Sequence, residues 1–183
     1  MTDELLRTIP HLDEIAHRGP FAGTPAKHTE NFRERSAREN KLLPSLEDAI
    51  RATGLTDGMT ISFHHHFRNG DHVVNRVVDT LAKMGFKNLT LAASSLAAVH
   101  APLIEHIKNG VITHIETSGL RGELAEQISR GLMDFPIVFR SHGGRAAAIR
   151  SGELHIDVAF LGAPSCDPYG NANGYSREEG GTI

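Results

Sequence analysis

Tryptophan is missing from this 183-residue chain, and aromatic residues make up only 5% of it. A ligand site built on aromatic stacking is therefore not expected. Cys166 is the single cysteine, which excludes an intrachain disulfide. No apolar run approaches the ~20 residues of a membrane-spanning helix. Met1 to Pro10 lack the hydrophobic stretch of a secretory signal. Positive charge is not in excess either: 19 basic and 22 acidic residues give a net charge of −3. The basic stripe of a nucleic-acid binder is absent. These absences point to a cytoplasmic protein with neither a nucleic-acid nor a membrane partner.

Histidine, in contrast, is abundant, with 12 copies and three of them adjacent, His64, His65 and His66. The length suits one well-buried core rather than two ordinary domains. Residues 1–55 read as an extension, rich in charge and interrupted by Pro10, Pro20, Pro25 and Pro44. Its expected form is a helical and extended arm lying on the domain or on a partner. The best-defined piece is a helix from Ser45 to Thr53. Ser45 can cap it, Asp48 stands three residues on, and Gly54 follows. Leu46, Ala49 and Ile50 would form its buried stripe.

From residue 56 to 183 the text alternates. Apolar runs at Met59–Phe63, Asn88–Ala93, Val111–Glu116, Pro136–Arg140 and His155–Leu161 read as strands. Between them, helical spacing covers Asp71–Met84, Leu96–Lys108, Leu120–Met133 and Gly144–Arg150. Pro102 is either a kink or the true start of its helix. Asp71 is the expected cap of the first of these. Strict alternation predicts an α/β domain with a mostly parallel sheet, flanking helices and right-handed crossovers. The strands read as apolar throughout, as when helices cover both faces.

Ligands of open α/β sheets bind beyond the carboxyl ends of the strands. That selects the loops His64–Gly70, Ser94–Ser95, Thr117–Gly119, Ser141–Gly144 and Ala163–Gly174. Ser141-His142-Gly143-Gly144-Arg145 follows a strand and opens a helix. Either its glycines let a ligand approach helix-start N–H groups, or they merely permit a tight turn. In the first case the turn could bind a carboxylate or phosphate, or stabilise an acyl-transfer oxyanion. Arg140 and Arg145 flank it and suit carboxylates, although pairing with a surface acid is the commoner fate of an arginine. Strand alternation points His64 and His66 one way and His65 the other. No third ligand stands out by spacing, so imidazoles facing a carboxylate are favoured over a metal site. In the last loop, Cys166 has no dedicated base and reads as a bystander. Asp167 and Asn171 suit turn geometry, and Asn171 is also a candidate ligand contact. Glu178 and Glu179 read as solvated tail.

Three stretches resemble the citrate lyase alpha subunit. They are the run from Gly58 to Asp71 with its three histidines, the Ser141–Arg145 turn, and His155–Pro164 continuing to Gly170–Gly174. The likeness extends from about Gly19 through Gly174. It implies a fold like that of coenzyme A transferases. It also implies citrate CoA-transferase activity: an acetyl-carrier thioester and citrate give citryl thioester and acetate. No permanently bound cofactor is implied. The coenzyme-A-like thioester arm of the acyl carrier (gamma) subunit is a substrate, and the beta subunit cleaves the citryl thioester. The implied partners are therefore citrate, the beta and gamma subunits, and further copies of the chain. The reaction type implied is a mixed anhydride between the two substrates, with no enzyme nucleophile.

On this resemblance, His64, His65, His66, Arg68, Ser141, His142, Arg145 and Asn171 become candidate citrate and thioester contacts, with Arg140 beside them. Gly143 and Gly144 become candidate oxyanion donors. Family members are much longer and carry a second domain of similar fold. The chain therefore reads as an amino-terminal portion, truncated at its carboxyl end, and half of the active site is expected outside it. Two other readings stand beside the transferase. One is a non-catalytic binding or assembly module of the lyase. The other is a transferase for another acid, or a sugar-phosphate isomerase of similar architecture.

Overall fold

Ser45 adopts an extended backbone, and its Oγ accepts the Asp48 N–H at 3.0 Å while its hydroxyl donates to the Asp48 carboxylate at 2.7 Å. Helix α1 (Leu46–Thr53) starts there and stops at Gly54, whose φ is +72°. Such a cap stabilises a helix by about 1 kcal/mol. The computed structural model describes residues 40–64 and 71–173, all within one compact unit, Glu39–Ile183. The rest of the expected arm lies outside the described residues. α1 itself does not stand apart from the α/β core, because it buries Ile50 there completely.

The remaining elements follow in alternation. They are β1 (Thr60–Phe63), α2 (Val73–Lys83), β2 (Leu89–Ala93), a 3₁₀ turn (Ala98–His100), α3 (Leu103–Lys108), β3 (Ile112–Thr117), α4 (Glu123–Ser129), β4 (Val138–Phe139), α5 (His142–Ser151) and β5 (Val158–Phe160). A short antiparallel hairpin, β6 (Ser165–Cys166) and β7 (Ala172–Asn173), comes last. The five-stranded sheet has the order β4-β3-β2-β1-β5, and every pair in it is parallel. The fold is thus the expected α/β sheet with flanking helices.

Two helices are shorter than their apolar spacing suggests. Leu96 is not helical but bridges to Leu120, the 3₁₀ turn follows, and α3 begins only after Pro102. A proline has no N–H to give to a helix interior, so it opens one instead. α4 starts at Glu123 because Gly122 holds φ +71° and ψ −160°, outside helical space. The spacing of Leu124, Ile128 and Leu132 still marks the face turned to the core. Asp71, buried, accepts the Val73 N–H at the start of α2.

The strands are not apolar on both faces. Ile61, Phe63, Leu89, Leu91, Ala93, Ile112 and Ile115 join Val74, Val77, Val78, Leu81, Leu103, Ile107 and Leu124 in one large core beneath α1 to α4. The opposite face carries Thr60, Ser62, Thr90, Ala92, His114 and Glu116, which are matched in register across β1, β2 and β3. Among the described residues, Phe135 stacks on His114 there, and the helix that packs on this face is α5. Its Ala148 meets Ala92 and Leu154 in a minor cluster. A helix of glycine and alanine can sit close to a face of small residues, and this leaves polar groups of the sheet within reach of its side chains.

Strands β1 to β4 step in one direction with their helices on one face. The chain then returns by α5 on the other face to place β5 beside β1. The strand order reverses between β1 and β5. In this class of sheet, that reversal opens a crevice at the carboxyl ends.

Candidate functional site

The Ser141 turn follows β4, at the edge of the sheet away from that reversal, and α5 leads from it back over β2 and β1. Ser141 is extended, and its Oγ accepts the Gly144 N–H at 3.0 Å, which starts α5 at His142, two residues earlier than the sequence suggests. The Arg145 N–H donates to the Ser141 carbonyl at 2.8 Å. Gly144 is thereby committed to the cap as a donor. A Cβ on Gly144 would stand 3.0 Å from Ser141 Oγ, whereas one on Gly143 would meet nothing within 4 Å. Of the two glycine candidates for an oxyanion donor, only Gly143 keeps a helix-start N–H clear of the cap. His142 is exposed at the first helical position.

Arg145 and Arg140 have different surroundings. Arg140 donates through Nε to Glu116 at 2.8 Å and through Nη1 to Glu153 at 3.0 Å. Its two carboxylate partners raise its pKa, the Glu116 hydrogen bond most of all. Arg140 is a bridge between β3, the end of β4 and the segment after α5. Arg145 instead extends across the polar sheet face. Its Nη2 donates to Ser62 Oγ at 2.8 Å and to the Ala92 carbonyl at 3.2 Å. No carboxylate lies within ion-pair distance of Arg145 among the described residues. Burial lowers its pKa, and the Glu116 charge offsets part of this from a distance. A half-buried guanidinium hydrogen-bonded to neutral acceptors retains most of its attraction for an anion.

His64 follows the last residue of β1, two positions beyond Ser62, and is exposed. His65, His66 and Arg68 lie outside the described residues, as do Glu178 and Glu179. No cluster of three or more His, Cys, Asp or Glu side chains suited to a metal ion occurs among the described residues. No helix among them is long and apolar enough to cross a membrane.

Asn171 is occupied elsewhere. Its side-chain amide donates to one Asp167 oxygen at 2.8 Å, and its N–H and that of Tyr169 donate to the other, each at 2.9 Å. These bonds close the turn between β6 and β7, with Cys166 exposed beside it. They hold the Asp167 carboxyl below the usual carboxylate range, the Asn171 side chain contributing most. A group whose pKa is depressed on folding stabilises the fold fully above its unfolded value, about 3.9 for Asp, and loses that contribution as pH falls through the folded value. Hydrogen-exchange protection of the Tyr169 and Asn171 amides is therefore expected to hold at pH 5 and to fall as the solution is acidified toward pH 2. Protection that does not change over this range would show that the turn closes without the carboxylate.

Sequence reasoning missed Ser62 and Glu116. The available signal was a polar residue inside an otherwise apolar strand. What those residues touch comes from elsewhere in the chain: Arg145 of α5 lies 83 positions from Ser62, and Arg140, just after β4, lies 24 from Glu116.

Comparison with known proteins gives one result throughout. The family model for citrate lyase, alpha subunit (CitF), matches residues 39–181, running past Gly174 into the tail. The citrate lyase alpha chain of Escherichia coli is 63% identical over 147 residues, covering 80% of this chain and 29% of the relative. That of Klebsiella pneumoniae is 62% identical over 157 residues, covering 86% and 31%. A Streptococcus mutans structure described as a citrate lyase alpha subunit in complex with citrate is 61% identical with a TM-score of 0.73, covering 75% of this chain and 27% of that one. The chain thus spans less than a third of the length of these relatives. The match over most of its length shows that the chain belongs to the citrate lyase alpha subunit family.

Proposed function

We propose that this chain carries the citrate-binding part of a citrate CoA-transferase site, in which Arg145 holds a citrate carboxylate. The observation that carries this reading is the Arg145 guanidinium, fixed at the rim of β1 and β2 by two neutral acceptors. Support comes from the family and from the citrate complex of the Streptococcus mutans relative.

In the proposed reaction, a citrate carboxylate oxygen attacks the acetyl thioester carbonyl of the acyl carrier. The new C–O bond and the broken C–S bond leave a mixed anhydride and a thiolate. The thiolate then attacks the citryl carbonyl, forming citryl thioester and releasing acetate. Both additions pass through an oxyanion, for which the Gly143 N–H is the available donor and Gly144 supports the turn. His64, His65, His66, Arg68, Ser141 and His142 are the further substrate contacts proposed from the family resemblance. The remainder is positioning and charge stabilisation, and no enzyme nucleophile is needed. The proposed setting is the cytoplasm. The partners are the beta and acyl-carrier (gamma) subunits and further copies of the chain, with the carrier's thioester arm as substrate rather than cofactor.

One observation favours a second reading as a binding or assembly module. Leu161 and Phe139, at the ends of β5 and β4, are 70% and 61% exposed, as surfaces awaiting a partner are. Mass spectrometry of products from the chain with acetyl-CoA and citrate separates the two. Citryl-CoA above a Gly143→Val control is expected for the transferase. Citrate binding without citryl-CoA would leave the module.

A further inference from the structure

The bond between Arg145 and Ser62 joins α5 to the end of β1, and its chemistry is informative. Arginine at such a position is ordinarily met by an aspartate or glutamate. Here it is met by a hydroxyl and a backbone carbonyl. Ser62 is itself buried, in register with Ala92 on one side and Ala159 on the other. The nearest acid on this face, Glu116, is taken by Arg140 at 2.8 Å. Among the described residues, the guanidinium is thus held in place by neutral groups and paired with no carboxylate.

We infer that Ser62 is a positioning residue for anion binding: its hydroxyl fixes the Arg145 guanidinium at the carboxyl rim of the sheet while leaving the charge free for a ligand carboxylate. This rests on the citrate reading above and adds the residue that prepares the arginine. A carboxylate at position 62 would fix Arg145 equally well but would compete with the ligand. An alanine would leave the charge free but mobile.

The test is citrate titration by calorimetry on the full chain, with folding checked by thermal melting. A neutral-acceptor hydrogen bond corresponds to about 3- to 10-fold in affinity, so Ser62→Ala is expected to weaken citrate binding by that factor. Ser62→Thr, which keeps the hydroxyl, is expected to restore it. Ser62→Asp is expected to weaken it more than Ser62→Ala does. In an Arg145→Ala background, Ser62→Ala is expected to have no further effect, whereas a purely structural serine would weaken binding equally in both backgrounds. Unchanged affinity in Ser62→Ala, with citrate still bound by the parent chain, overturns the inference and leaves the citrate reading intact. NMR of the Arg145 side-chain nitrogens reads the anchor without citrate: restrained in the parent chain and freed in Ser62→Ala. If the parent chain binds no citrate, a restrained guanidinium freed in the folded variant still supports the anchor while the citrate reading fails. Equal mobility in the two proteins overturns the anchor.

Discussion

Arg145→Ala is expected to weaken citrate binding by about 10- to 150-fold, the equivalent of about 1.5–3 kcal/mol for a charged hydrogen-bonding group. The substitution removes a guanidinium whose contacts within the described chain are the neutral Ser62 and Ala92. Most of its attraction therefore remains for the ligand, and little of the fold depends on it. The matching control is Arg140→Ala. Arg140 is bound to Glu116 and Glu153, so its loss is expected to lower thermal stability and to leave citrate affinity within about 3-fold, less than one neutral hydrogen bond. Calorimetric titration of both variants checks the assignment. The opposite ranking, with Arg140→Ala the more damaging to binding, would move the carboxylate contact to the other arginine. Raising the ionic strength should weaken binding to the parent chain more than to Arg145→Ala, because salt screens the attraction that the variant lacks.

The largest expected effect on stability is at Gly122. Its backbone, at φ +71° and ψ −160°, lies in a region that only glycine enters freely. An added Cβ would stand 2.8 Å from Ala98 Cα and 2.9 Å from Ala98 Cβ. Both neighbours belong to the backbone or to a short side chain, so neither can swing aside. Strain of about 1–3 kcal/mol and overpacking of similar size add to about 2–6 kcal/mol for Gly122→Ala. That is a large share of the ~5–15 kcal/mol that holds a domain folded. Gly131→Ala separates the two causes. Gly131 also has a positive φ, +94°, but a Cβ there would meet nothing within 4 Å. Strain alone, about 1–2 kcal/mol, is expected. Urea unfolding of both variants reads the difference, and equal midpoints would mean that the 3₁₀ turn gives way to the added methyl.

The two substitutions show what kinds of information the sequence holds. Helix α1 was legible because a cap, an apolar stripe and a terminal glycine are local features, and all are found where the spacing puts them. The five strands were legible as apolar runs, although β4 keeps only Val138 and Phe139 and β5 only Val158 to Phe160. Strand ends depend on a neighbour's register, which the run itself does not record. Helix α4 was overextended because Leu120 to Met133 has helical spacing throughout. Its start is set by Gly122 passing Ala98, a contact between distant segments.

The sequence by itself determined the alternation of strands and helices, the loops that close the strands, and the likeness to citrate lyase alpha subunits. These follow from periodicity, turn chemistry and long motifs, which are local properties of a chain. Only the tertiary structure separated Arg140 from Arg145, committed Gly144 to the Ser141 cap, and assigned the Asn171 side chain to the Asp167 turn. Both arginines flank the same turn and are chemically identical. Their difference arises because Arg140 stays at the end of β4 beside Glu116 of β3, whereas α5 carries Arg145 over the polar face to Ser62. An electrostatic role depends on which charges lie nearby in space, and that is fixed by packing between segments far apart in the chain.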